Sequence, residues 1–312
     1  MADSLLPDRH KQRDFFTCDI FDSFKDDIAS MEHPVFSLSK KPDHRMLEYE
    51  RNGTTIKIKP SYTGLATIFD KDILLYLASA LMSAKNSGEA ISQTVRFTSY
   101  DYIVSTNKSL GGTQYKLLKE GLERLNGTLI QTNIKAGAVE ETKEFGLIES
   151  WGIVKEDAKG KAIAIEVKLS DWFYNSILGD AVLTIDKDYF RLRKPTERRL
   201  YELARKHCGN QVAWKISLVN LKEKLGVTSQ MKLLRFNIKK ITETNHLPEY
   251  NISMEDDVVL FSRKEPPKEN NVPSGLPKYV TKKEIEKQAR PGESYKDVAE
   301  RLKGVKKTLS KR

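Results

Sequence analysis

The chain repeats one succession of local signals: a helix, a helix–turn–helix pair, then a strand hairpin. In the first copy, Asp70 can cap a helix whose apolar residues Ile73, Leu77, Ala80, Leu81 and Ala84 recur at helical spacing. Thr94–Phe97 reads as a strand, Ser99 caps a short helix, Gly111-Gly112 turns the chain, and Thr113–Leu125 makes a third helix. The apolar stripe of that helix is Tyr115, Leu118, Leu122 and Leu125, and Gly127 ends it. Strands over Thr128–Ile134 and Ala162–Leu169 follow, with a turn at Asp157–Gly160. In the second copy, Pro195 opens a helix with Leu200, Leu203, Ala204 and His207 facing inward. Ser217 caps a helix carrying Leu218, Leu221 and Leu225, and Gly226 closes it. Thr228 or Ser229 caps the next helix, whose inner face is Met231, Leu234, Ile238 and Ile241, and Tyr250–Met254 with Val258–Phe261 forms a hairpin about Glu255-Asp256-Asp257.

This order is the winged-helix plan, so the expected fold is α+β: tandem winged-helix domains, each a helix–turn–helix plus a β-hairpin, with a flexible basic C-terminal tail. Residues 1–34 read as an N-terminal arm, 35–180 as a first winged-helix domain and 181–263 as a second. Asn52-Gly53 between Met46–Glu50 and Thr54–Lys59 is a hairpin signal within the first. Residues 264–312 form a Pro-rich linker and a tail whose last ten residues hold five bases and no acid.

Charge is as unevenly placed as the helices are regular. Lys187–Leu247 carries fifteen bases and five acids, a net +10 that equals the formal charge of all 312 residues. Such concentration on one helical module is the electrostatic footprint of a protein that neutralises phosphates. Cys18 and Cys208 stand far apart in no metal-binding spacing, which indicates neither a disulfide framework nor a zinc site and suits a reducing, cytoplasmic setting. No apolar run approaches the ~20 residues that cross a bilayer, so no membrane is expected.

Winding residues 229–243 at 100° per residue sets Met231, Leu234, Ile238 and Ile241 on one side. The other side shows Ser229, Lys232, Phe236, Lys239 and Lys240, with Arg235 and Asn237 on the flanks. As a recognition helix in the DNA major groove, it would place Ser229 and Lys232 at base edges, Phe236 on a thymine methyl, and Arg235, Lys239 and Lys240 on phosphates. A solvated basic face with Phe236 tucked under the hairpin is the competing reading. Opposite the stripe of the earlier helix lie Thr113, Lys116, Leu117, Glu120 and Arg124. Thr113, Lys116 and Arg124 could touch DNA, but Glu120 would repel phosphates, and contact with another protein chain competes. Arg191, Arg193, Lys194, Arg198 and Arg199 cluster where the Pro195 helix starts; Arg193, Lys194 and Arg198 are the candidate phosphate clamps, with pairing to Glu197 and Glu202 the alternative.

Catalytic signatures are missing from the sequence. The five histidines show neither the His-x-His of a rolling-circle nuclease nor HExxH, and Gly111-Gly112 opens no phosphate-binding loop. A non-enzymatic protein without metal or cofactor is expected.

Leu183-Thr184-Ile185, the run from Asp188 to Pro195 (DYFRLRKP), the run from Glu197 to Gly209 (ERRLYELARKHCG), and upstream Leu169-Ser170-Asp171-Trp172-Phe173-Tyr174-Asn175 carry a resemblance. Over roughly Val35–Arg263 the chain resembles the replication initiator protein A (RepA) family of bacterial plasmids. The resemblance implies two winged-helix domains and specific binding to repeated sites (iterons) in double-stranded DNA at a plasmid origin. It further implies help in opening the duplex and recruitment of the host initiator ATPase and replicative helicase. It also implies a monomer–dimer equilibrium in which the N-terminal winged helix is the dimer interface and the dimer represses its own gene. A tandem winged-helix transcriptional repressor without a replication role is the alternative, separable by an origin-dependence assay.

Overall fold

The computed structural model describes residues 5–10, 15–18, 35–39, 41–51, 54–86, 89–136, 139–155, 163–178, 182–208 and 211–264. The expected turn at Asp157–Gly160 and the linker and tail beyond residue 264 lie outside them. The described chain runs through strands β1 (Phe15–Cys18), β2 (Leu47–Arg51) and β3 (Thr54–Lys59), then helix α1 (Lys71–Asn86), β4 (Thr94–Thr98), α2 (Ser99–Ser105) and α3 (Gly112–Gly127). Strands β5 (Leu129–Ala136), β6 (Val139–Gly146), β7 (Ile148–Lys155) and β8 (Ile163–Leu169) come next, then α4 (Asp171–Leu178) and β9 (Val182–Ile185). A 3-10 turn (Lys187–Arg191) leads into α5 (Pro195–Cys208), β10 (Ala213–Ser217), α6 (Leu218–Leu225), α7 (Met231–Thr244), β11 (Tyr250–Glu255) and β12 (Val258–Arg263).

The repeated order of helices is a repeat in space, but the hairpin of the first copy is β7 with β8, whereas the expected strand at Thr128–Ile134 (β5) joins another sheet. One three-stranded antiparallel sheet has the order β4-β8-β7 and the other β10-β12-β11. In each, a strand between the first helix and the helix–turn–helix pairs with the last strand of the hairpin. Strand β10 escaped the sequence reading because it is short and ends at Ser217, whose side chain caps α6 by accepting from Asn220 N–H at 3.3 Å. The β2–β3 hairpin forms in the register its Asn-Gly signal predicts, Arg51 opposite Thr54, and extends through β5 and β6 into a four-stranded sheet peculiar to the first half.

Each half has its own core. The first packs α1, through Ile73, Leu74, Leu77, Ala78 and Leu81, against Leu118, Leu122 and Leu125 of α3 and against Ile58, Ile130 and Val167 of the sheets. Tyr115, expected in this stripe, is 43% exposed; α3 buries Gly121 beside Leu118, Leu122 and Leu125. The second core joins Leu200, Tyr201 and Ala204 of α5 to Leu221 and Leu225 of α6, Leu234, Ile238 and Ile241 of α7, and Val259 and Phe261 of β12. His207 is only half-buried and stacks on Trp214 at 4.3 Å between ring centroids. Gly226 closes α6 in the left-handed region, φ 63°, as a C-terminal glycine should. The last hairpin turns through Asp256 (φ 46°) and Asp257 (φ 59°), the two successive positive φ angles of the tight turn that matches strand twist.

Start signals shift by one or two residues from their expected positions. Thr98, not Ser99, caps α2 by accepting from Asp101 N–H. Gln230 precedes α7 without a side-chain cap, so neither Thr228 nor Ser229 caps it. At α1, Thr67 and Asp70 bond reciprocally as a capping box: Asp70 N–H donates to Thr67 Oγ1 (3.3 Å) and Thr67 N–H to Asp70 Oδ2 (2.8 Å).

Buried ions join the two halves. Asp72 in the first turn of α1 is fully buried and accepts from Arg198 Nη1 of α5 (2.6 Å) and from Lys108 Nζ (2.7 Å). Arg198 also donates to the Leu192 carbonyl (3.1 Å) and lies between the rings of Phe69 and Tyr189. Next to it, Lys71 Nζ meets Glu202 at 2.9 Å, and Glu202 also accepts from Tyr189 OH and Arg199. Burial would push the Glu202 carboxyl up, but Lys71 and Arg199 bring it below its ordinary value. The arm contributes as well: Leu6 N–H donates to the Arg191 carbonyl (2.8 Å) in the second half, while Arg9 N–H reaches Asn107 Oδ1 (2.8 Å) in the first.

A further clamp precedes β2. Arg45 forks onto Asp43 (Nε–Oδ1 2.8 Å, Nη2–Oδ2 2.6 Å), and Ser37 donates to the same carboxylate. Gly64 packs over the Asp43 backbone at φ +101°, where a Cβ would come within 3.0 Å of Asp43 N, so glycine is required there. The Arg45 fork lowers the Asp43 pKa from 3.8 to about 2. Because the folded value is the depressed one, its stabilisation is complete above about pH 4 and is lost as pH falls toward 2. We expect Asp43→Asn to remove roughly 2 kcal/mol of the acid-induced loss of stability between pH 5 and pH 2, read from urea midpoints. An unchanged pH profile would show that the clamp stores no such energy.

Candidate nucleic-acid interface

Helix α7 is held by its buried face and by its neighbours, and what remains is a cationic outer face. Leu234, Ile238 and Ile241 anchor it in the core. The hairpin braces it from one side: Arg235 forks onto Asp257 in the β11–β12 turn (Nε–Oδ1 2.7 Å, Nη2–Oδ2 2.5 Å), and the Asp257 carbonyl accepts from Leu218 N–H at the start of α6 (2.7 Å). The Arg235 fork holds the Asp257 carboxyl below its ordinary value. From the other side, Arg45 Nη1 reaches Thr228 Oγ1 (3.3 Å) in the turn between α6 and α7. Arg45, Met46, Val219, Lys222, Gly226 and Met231 line a cleft of about 580 Å³ there.

Lys232, Lys239 and Lys240 stand exposed on this face and form no salt bridge with any described acid. Phe236 is 52% exposed, with Lys240 Nζ 4.4 Å from its ring centroid, so it is not covered by the hairpin. Ser229 is half-buried in the turn, one residue ahead of Gln230. Arg235, expected on a phosphate, instead directs two of its donors at Asp257.

The cluster at the start of α5 divides. Arg193 is exposed, and Lys194 is exposed but bonded to Glu197 at 2.9 Å. Arg198, expected among the phosphate clamps, is corrected by the structure: it is 3% exposed and belongs to Asp72. On α3, Thr113 and Lys116 are exposed, Lys116 lying 3.7 Å from Glu120. Arg124 is a second correction, forking onto Asp70 at 2.7 Å from both Nε and Nη2 and turned into the interior. The surface that α2 and α3 leave outside mixes Tyr100, Leu110, Tyr115 and Leu117 with Asp101, Lys116 and Lys119, in contrast to the lysines of α7.

Arg45, Asp257 and Leu233 were missed by the sequence reading. Asp257 was legible only as an acid in a turn, and nothing local in the stretch before β2 shows that Arg45 reaches α7's turn. Leu233, 52% exposed, breaks no helical pattern and so draws no attention.

Comparison with solved structures finds the same fold in domains 2 and 3 of RctB: two crystal structures superpose with TM-scores of 0.57 and 0.54 at 12% identity, covering 76% and 75% of this chain and 96% of each of those. The family model of replication initiator protein A matches residues 25–252. A protein of Wigglesworthia glossinidia brevipalpis named "Putative replication protein" is 43% identical over 267 residues, which is 83% of this chain and 96% of that one. The class defined is that of a protein acting in the initiation of replication. The chain belongs to the replication initiator protein A family.

Proposed function

We propose that this initiator binds double-stranded DNA specifically at repeated sites in a plasmid origin, and that its two helix–turn–helix–hairpin halves are winged-helix units. The observation that carries the reading is the set of lysines on the outer face of α7 that form no salt bridge with any described acid, within the segment that holds the net +10 of the chain. Lys232 and Ser229, near the N-terminal end of α7, are suited to base edges, and Lys239 and Lys240 to phosphates; Arg193 and Lys194 would extend the phosphate track along α5. Thr113 and Lys116 could add contacts from the first half, although Lys116 there lies beside Glu120. In this reading the first half serves self-association, with the dimer repressing its own gene, and the bound protein helps open the duplex and brings in the host initiator ATPase and replicative helicase. The protein contributes no catalysis of its own.

A salt series with the protein's own plasmid origin fragment and a scrambled duplex tests this. The expected outcome is binding to the origin at least ~10³ tighter, with affinity falling steeply as salt rises. Equal, weak binding to both would remove the origin-binding claim.

A further inference from the structure

The outer face of α7 is not uniformly basic. At 100° per residue, Lys232, Arg235 and Lys239 follow the edge next to the hairpin, where Arg235 meets Asp257. Leu233, Phe236, Asn237 and Lys240 fall at i, i+3, i+4 and i+7, a single strip on the edge away from it. Leu233 and Phe236 are each 52% exposed, and Asn237 is exposed between them and Lys240. Lys240 lies over the Phe236 ring, so its charge and the aromatic surface are presented together.

Two large apolar side chains held half in water on a helix ringed by lysines call for an apolar target that lies within a polyanion. Of the groups in the major groove, the 5-methyl of thymine is such a target, and a carboxamide beside it matches the N6–N7 edge of adenine. A protein partner would satisfy Leu233 and Phe236 but would leave Lys232, Lys239 and Lys240 to find acids, whereas DNA satisfies both.

We infer that the Leu233–Phe236–Asn237 strip reads A·T base pairs, with Leu233 and Phe236 on thymine methyl groups and Asn237 on an adjacent adenine. The inference rests on the DNA-binding reading above and adds to it the base class that α7 selects. Lys240, drawn over the ring, then fixes the strip to the backbone alongside those pairs.

The test separates the two layers. Selection of bound duplexes from a randomised pool gives the preferred site; each thymine in it is then replaced in turn by uracil, which removes only the 5-methyl group. Expected is a loss of about fourfold at one or two thymines, the factor that ~0.8 kcal/mol per buried methyl converts to. That loss should vanish in Phe236→Ala or Leu233→Ala and persist in Phe236→Leu. Asn237→Ala should relax the adenine preference beside those thymines. Both apolar residues are at the surface, and an unchanged unfolding midpoint would confirm that the variants fold. A selected site whose uracil forms bind as tightly as thymine, or lose affinity equally with Phe236→Ala, would overturn the inference while leaving DNA binding intact. A pool from which no sequence emerges would instead overturn the binding reading, and this inference with it.

Discussion

Arg198→Ala is expected to destabilise the folded chain by about 3–5 kcal/mol while leaving the salt dependence of DNA binding unchanged. The magnitude follows from what stays behind. Asp72 is fully buried and, among the described residues, keeps only Lys108 (2.7 Å) as an ionic partner once the 2.6 Å bond to Arg198 is gone. The guanidinium also fills the space between Phe69 and Tyr189, so alanine leaves a void there as well as a stranded charge. Urea unfolding of Arg198→Ala, Asp72→Ala and the double variant measures this directly. The double variant should lose markedly less than the two singles together, because the second removal no longer strands a partner. A single-variant loss below about 1 kcal/mol would contradict the buried pairing. A salt slope reduced by about one would return Arg198 to the phosphates.

Lys239→Ala combined with Lys240→Ala should do the opposite, sparing stability and costing affinity. Both side chains are exposed on α7 and lie outside the core formed by Leu234, Ile238 and Ile241. Each phosphate neutralised by a lysine releases counterions and contributes about 0.9 to the slope of log affinity against log salt. Losing two such contacts should lower the slope by about 2, which at ~0.15 M salt corresponds to roughly 30-fold weaker binding, with wild type and variant converging toward ~1 M. The loss should be similar on specific and unrelated DNA, since phosphates carry no sequence information. A loss confined to the specific site would make these lysines base readers, and an unchanged slope would remove them from the interface.

These two outcomes concern residues that look alike along the chain. Arg198 and Lys239 both lie in the strongly basic segment and both were assigned to phosphate. Arg124 likewise fell on the outward side of a helical wheel. The wheel places a residue relative to its own helix, but it cannot tell solvent from a neighbouring element. α3 packs against α1, and α5 meets the first turn of α1, so the side that seems outward still faces protein. Long arginines there reach across to Asp70 and Asp72.

Most of the element order was legible because it rests on local physics. Helical spacing of leucines, Ser217 and Gly226 at the ends of α6, and Asn52-Gly53 between β2 and β3 each act over a few residues. The excess charge could be placed by composition alone, and with it the helix α7 whose core face is Leu234, Ile238 and Ile241. Boundaries slipped by a residue or two where Thr98, not its neighbour Ser99, caps α2, and where α7 starts behind Gln230 with no side-chain cap to mark it. Strand β10 was hidden because it is short and its partner β12 comes some forty residues later.

The sequence by itself therefore determined the helices of both copies, most of the residues they bury and the segment that carries the charge, since periodicity, capping and composition act locally. Tertiary structure alone decided which cations within that charge are left for a ligand. Arg198 is claimed from afar, by Asp72, 126 residues away, just as Arg124, outside that segment, is claimed by Asp70, 54 residues away. Such pairings exist only after the helices have packed, when burial makes an unpartnered charge too costly to keep.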